Sequence, residues 1–167
     1  MATESQEGGR FAKFAEPARR VVVNAQNIAG QFNHRSVDTI HLARACIKDV
    51  GVTTFLTQAG VKVDKVLDLV ASGLSQYNPS IESEGLTPKA KTAVEHCVGE
   101  ARRVYATRIE AMHLLTGLLE IDEEVGEFFE TPELTLEQFR KQAAAFNDRK
   151  NSVARCIQAS LLASISK

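Results

Sequence analysis

The side chains of this 167-residue chain best suited to chemistry are four histidines and three cysteines, and two of the histidines recur in one phrase. His41 stands in IHLARACI and His113 in MHLLTGLL, 72 residues further on. A recurring histidine could be one of a pair of metal ligands, yet neither has the H-E-x-x-H or C-x-x-C company that a zinc site draws on. Each instead heads an apolar helical run, where a histidine that hydrogen-bonds within the fold is expected. His34 and His96 have no visible constellation and read as surface or half-buried side chains. Cys97 follows His96 as a nucleophile might follow its base, but helical neighbours point about 100° apart and do not face one another. Cys46, Cys97 and Cys156 are odd in number and lie in apolar helical settings, so they read as reduced core residues of a cytosolic protein. The acidic run EIDEEVGEFFE lacks the alternation and glycine of an EF-hand and reads as a solvated helix start. Without a nucleophile, base and oxyanion-donor set, and without a metal cluster, neither catalysis nor a cofactor is expected.

The elements that carry these residues repeat with them. At the same offset Phe14 meets Leu86, Ala18 meets Ala90, Arg19 meets Lys91, Val22 meets Val94, Ala29 meets Ala101 and Val37 meets Ile109. After a one-residue slip Phe55 meets Phe128, Val61 meets Leu134 and Val66 meets Phe139. A fixed internal period decides architecture before any local reading does. Each copy reads as four helices. The first, about Glu16 to Phe32, carries an i, i+3, i+4, i+7 stripe from Ala18 to Ala29, so RVVVNA belongs to a helix and no convincing strand remains. Pro17 and Pro88 mark helix starts. Thr107 and Glu110 have the spacing of a capping box ahead of the second helix of the later copy. Short third helices follow at about Val52 to Ala59 and Glu124 to Thr131. Gly60 and Pro132-Glu133 break the chain before a fourth helix from about Asp64 and Thr135. The fold class is all-α, with two tandem four-helix repeats in a pseudo-twofold bundle. Its organisation is a flexible N-terminus over 1–10, a double domain over 11–146 and a helical C-terminal extension over 147–167. Within the domain, repeat one is 14–71, a Ser/Gly/Pro-rich loop is 72–85 and repeat two is 86–146. The extension carries Val153, Ala154, Ile157, Leu161, Leu162 and Ile165, an apolar face for the domain or a partner.

Charge narrows the partners. A net charge of −1 gives no basic excess, and the pairs Arg19-Arg20 and Arg102-Arg103 are too sparse for a nucleic-acid stripe. No apolar run has signal-peptide or membrane-span length, so neither secretion nor a membrane is expected.

The openings FAEPARRVVVNAQ and LTPKAKTAVEHCVGEARR, with IHLARACI and MHLLTGLL, resemble the Clp N-terminal domain family. Its repeats run roughly F-T-x-x-A-[RK]-x-V-x-x-x-A-x-x-x-A and carry an E-H-L-L-L-G-L-L segment. The resemblance covers about Phe11 to Phe146, and a duplicated match of this length is far more specific than a lone motif. It implies a pseudo-twofold bundle of eight helices that, in Clp-type unfoldases, captures substrates or adaptor proteins and hands them to an ATPase ring. The sequence contains no G-x-x-x-x-G-K-[ST] loop with which to cradle ATP, so a binding module is expected, acting in Clp-dependent proteolysis or as an adaptor or decoy. Its partners would be proteins or peptides, namely Clp ATPase or protease components, adaptors or substrates. A monomer is favoured, in the bacterial cytoplasm or an organelle matrix such as the plastid stroma. The alternative is a structural helical protein that oligomerises through its C-terminal helix.

The resemblance also implies sites. In the family's bacterial ClpC branch the phrase reads G-T-E-H, and the glutamate before each histidine is a ligand for phosphorylated arginine. Ile40 and Met112 stand at those positions, and neither offers a carboxylate to a guanidinium. Phe11, Lys91 and Glu95 stand where similar domains have an aromatic, a base and an acid at the surface on which ligands and adaptors approach. An anchor flanked by charges suits polypeptide docking.

Overall fold

From the amino end the helices are α1 (Glu16–Gln31), α2 (Thr39–Ile47), α3 (Val50–Gln58), α4 (Val63–Gln76), α5 (Pro88–Arg103), α6 (Ala111–Ile121), α7 (Glu123–Phe129) and α8 (Leu136–Ile165), with two-residue strands β1 (Ser36–Val37) and β2 (Gly85–Leu86). The computed structural model describes residues 9, 11–78, 84–131 and 134–165, and the class is all-α. The stretch expected to be a flexible N-terminus lies outside the described residues except for residue 9, and so does the expected break at Pro132-Glu133.

The two halves match in detail. Helices α1 and α5 begin and end 72 residues apart, each with a proline in its first turn and a buried alanine–valine stripe. Proline costs nothing there because its missing N–H would have no helical partner. Each helix is followed by a left-handed residue, Asn33 at φ 57° and Tyr105 at φ 53°. One residue later the amides of His34 and Ala106 return to the carbonyls of Ala29 and Ala101, both at 2.9 Å. Beyond the slip, Asp49 and Asp122 cap α3 and α7 by accepting from the amides of Val52 and Val125 at 3.1 and 3.3 Å.

The halves are exchanged at their openings. Ser36 and Val37 pair in parallel with Gly85 and Leu86, and the Val37 carbonyl accepts from the Thr87 amide at 3.0 Å. In the counterpart, Phe14 bridges to Ile109, whose carbonyl accepts from the Ala15 amide at 2.9 Å. Each half therefore begins on a ladder supplied by the other. Two residues are too few to write an alternating pattern, which is why the sequence reads as free of strands.

Helices α2 and α6 form the centre, with Leu42, Leu114, Leu115 and Leu118 fully buried. A helix apolar on all sides belongs inside. Gly117 lets α6 lie directly on α5, since an added Cβ would sit 2.7 Å from the Ala93 carbonyl oxygen and 2.9 Å from the Cys97 nitrogen.

Two boundaries differ from the sequence reading. Helix α4 continues through Gln76, so the first part of the expected loop is helical. Gly73 there makes room for Ile40, whose Cδ1 would lie 2.7 Å from an added Cβ; it serves packing and does not end the helix. The expected restart at 147 is absent: α8 is one 30-residue helix. The run NDRKNS contains neither Gly nor Pro, so nothing in it breaks a helix, and its polar residues lie where the helix has left the core. Phe139 and Phe146 of α8 meet Phe55 edge-on at 5.1 and 5.6 Å, and Arg140 ties Glu100 and Glu120 at 3.0 and 2.7 Å. From Asp148 to Ile165 every residue is exposed.

Candidate functional site

The recurring histidines hold the entrances of the central helices. Asp38 caps α2, its Oδ1 accepting from the Thr39 amide at 2.8 Å, and the Asp38 amide donates to His41 Nδ1 at 2.9 Å. The Glu110 amide donates to His113 Nδ1 at 2.9 Å in the same way. Histidine thus occupies the place that Glu or Gln takes in an ordinary capping box. The expected Thr107–Glu110 box does not form; Glu110 is itself the cap residue of α6, because Ile109 is still extended in its bridge to Phe14.

An accepting Nδ1 puts the proton of each neutral ring on Nε2. His41 Nε2 donates to His34 Nδ1 at 2.8 Å, so His34 joins a constellation that one sequence could not display. Burial, reinforced by His34, lowers His41 to about 4. Burial also lowers His113, against a pull from Glu100. Asp38 accepts from the Tyr77 hydroxyl at 2.7 Å and the Thr87 hydroxyl at 2.8 Å. Burial opposes its charge, but these bonds, the Thr39 amide and Lys89 hold its carboxyl below the usual range. The node joins the first half to the opening of the second.

The other candidates are accounted for by packing. The Cys97 thiol donates to the Val94 carbonyl at 2.8 Å, and burial pushes it up to about 12. His96 faces away toward Glu120, at 3.1 Å. Cys46 is buried, and its thiol is raised by that burial and by Asp49. Cys156, read as a core residue, is exposed on α8, because the helix has by then left the domain. Within the acidic run Asp122 is buried rather than solvated. It accepts from the Thr39 hydroxyl and pairs with Lys89 at 2.9 Å, joining the two halves. Among the described residues no group of three or more His, Cys, Asp or Glu could hold a metal ion.

One surface open to a partner is a groove of about 340 Å³ where the end of α1, the two strands and the start of α5 meet. Phe11, Leu86 and Lys91 line it, with Arg35 and Glu84. Phe11 stands edge-on to Phe14, ring centres 4.9 Å apart, which fixes the aromatic against the core. The structure therefore brings Phe11 and Lys91 together. Glu95 is exposed one turn further along α5 and does not line the groove; the acid there is Glu84. Arg35 and Glu84 escape sequence reasoning because only the pairing of β1 with β2 brings them together. Ile40 and Met112 are 9% and 4% exposed and belong to the core. A second groove, of about 390 Å³, lies between the α3–α4 turn and α7 and is lined by Lys62, Lys65, Leu69, Glu127 and Phe128.

Comparison with known proteins adds the lineage of this arrangement. Residues 13–132 match the Clp repeat (R) N-terminal domain. The ATP-binding subunit ClpC of the ATP-dependent Clp protease of Staphylococcus epidermidis is 29% identical over 118 residues, 70% of this chain and 14% of ClpC. The chain thus spans about 14% of the length of the curated relatives it matches. Among solved structures, the N-terminal domain of the caseinolytic protease associated chaperone ClpD from Arabidopsis thaliana superposes with a TM-score of 0.62 at 23% identity, covering 81% of this chain and 94% of that one. The Hsp104 N-terminal domain from Candida albicans gives 0.66 at 19%, covering 78% and 89%. At these identities the structures speak for the fold.

Proposed function

This chain belongs to the Clp repeat N-terminal domain family, and from that premise we propose that it is a non-catalytic protein-binding module serving a Clp unfoldase. Its ligands are adaptors or substrate polypeptides, and its setting is the bacterial cytoplasm or an organelle matrix such as the plastid stroma. The observation that carries the reading is the groove in which Phe11, Leu86 and Lys91 converge beside Arg35 and Glu84. An aromatic anchor seated on the core and rimmed by both charge signs suits a polypeptide, which offers apolar side chains and charges in alternation. Affinity capture with the intact chain tests it: a Clp ATPase, its protease partner or their clients are recovered, and the Phe11→Ala/Lys91→Glu double variant loses them. Recovery undiminished by the double variant contradicts the groove.

Phosphorylated arginine is not its ligand by the route of the ClpC branch. Ile40 and Met112 offer no carboxylate to a guanidinium, and both lie within the core. Calorimetry with free phosphoarginine is expected to give negligible heat, and micromolar affinity would overturn this statement.

One observation favours a second reading, a structural role through self-association. Val153, Ile157, Leu161 and Ile165 are exposed along the last turns of α8, spaced as one helical stripe.

A further inference from the structure

The two halves share a left-handed turn after their first helix, and only one of them fills it with a residue suited to the conformation. In the first half the position is Asn33 at φ 57°, and in the second it is Tyr105 at φ 53°. Asparagine visits that region readily because its short polar side chain bonds locally, whereas a bulky residue there is an outlier. Such outliers gather at functional surfaces. The core does not call for this one. The Tyr105 side chain is 94% exposed, the highest value of any large hydrophobic side chain among the described residues.

Its surroundings are basic. Tyr105 and Arg108 line a cleft of about 290 Å³ together with Lys150 and Arg155 of α8. Arg102 and Arg149 are exposed within one turn of these lining residues, while the charge of Arg103 is taken up by Glu100 at 2.6 Å. Against these five cations the cleft has two acids, Glu110 and Asp148. In a chain of net charge −1, positive charge is therefore concentrated at this face. Tyrosine and arginine are the side chains most enriched at binding hot spots, and a field of one sign attracts a partner of the other.

A nucleic acid fits less well than a polypeptide. One ring supplies a single stacking platform, and a phosphate chain has nothing to donate to Glu110 and Asp148, whereas a peptide offers its backbone N–H groups. We infer that this face receives an acidic polypeptide segment, its carboxylates toward Arg108, Lys150 and Arg155 and an apolar side chain against the Tyr105 ring. The face shares no lining residue with the Phe11 groove, so the two stand or fall separately.

Calorimetry of the full chain tests it, with a twelve-residue peptide repeating Glu-Glu-Leu as the probe. The same repeat with glutamine for glutamate, and an oligothymidylate of equal length, are the controls. The acidic peptide binds in the micromolar range, about tenfold more tightly than either control. Tyr105→Asn restores the residue of the first half; it weakens the peptide by about tenfold and raises the urea midpoint, since it relieves the turn. Arg108→Glu, at an exposed position, weakens the peptide by about tenfold with the midpoint unchanged. Equal affinity for the glutamine peptide, tighter binding of the oligonucleotide, or full affinity in Tyr105→Asn overturns the inference. A midpoint lowered by Tyr105→Asn makes the ring structural and overturns it too. Affinity lost in the Phe11→Ala/Lys91→Glu variant but kept in Tyr105→Asn assigns the peptide to the groove, with the same result. A dimer of the free chain that Tyr105→Asn dissociates assigns the face to a second copy and likewise contradicts the inference.

Discussion

His41 links local chemistry to stability. Its Nδ1 accepts from the amide of Asp38, the cap residue of α2, and its Nε2 donates to His34; the first of these bonds needs the neutral form. Because its folded value, about 4, lies below the ordinary histidine value, the unfolded chain takes up the proton first as pH falls. Stability contributed by the neutral ring is therefore complete above about pH 6.5 and declines toward pH 4, by up to about 3 kcal/mol. Urea midpoints measured between pH 7.5 and 4.5 check this. His41→Gln keeps a capping oxygen at the same helical position and should flatten the decline, while an unchanged slope would assign it elsewhere. That these histidines are structural is legible from their place at the head of an apolar run. Their partners are not legible, since His34, Tyr77 and Thr87 reach Asp38 and His41 only once the chain has turned twice.

Among the elements, the packing of α5 on α6 is a close backbone contact that a single residue, Gly117, controls. Alanine would favour the helix at Gly117 by about 1 kcal/mol, but its methyl would meet backbone atoms of α5, which cannot rotate aside. Overpacking of this kind costs about 1–3 kcal/mol, so Gly117→Ala is expected to lower the unfolding free energy by roughly 1 kcal/mol despite the better helix former. A rise in the urea midpoint would show that α6 can shift away from α5. The matching residue of the first half, Ala45, is an alanine buried without such a clash, so the halves are homologous in plan and differ in spacing. The sequence period discloses α1, α5 and the central helices because their apolar stripes are long. It misses the strands, which are two residues each, and it ends α4 early, because a glycine admitted for Ile40 looks the same in sequence as one that ends a helix.

For the whole molecule, the exchange of openings builds the groove, which exists only where the first half's strand lies against the start of the second. On the proposed function, ligand binding would then depend on the union of the halves. The C-terminal part of α8 is separate from it. Residues 148–165 all lie in the exposed part of the helix, so removing 148–167 should move the unfolding midpoint by no more than a few degrees. If the exposed stripe joins copies, sedimentation of the intact chain will show a concentration-dependent dimer that this truncation abolishes; a monomer at all concentrations removes the self-association reading.

The central claim, that the junction of the two halves receives polypeptide, is tested most directly by mapping where one lands. In a proton–nitrogen NMR titration of the full chain with a reduced, unfolded polypeptide, the account predicts perturbations clustered on Phe11, Arg35, Leu86 and Lys91. Perturbations confined to the α3–α4 side or to the exposed end of α8, with that cluster unmoved, would contradict it.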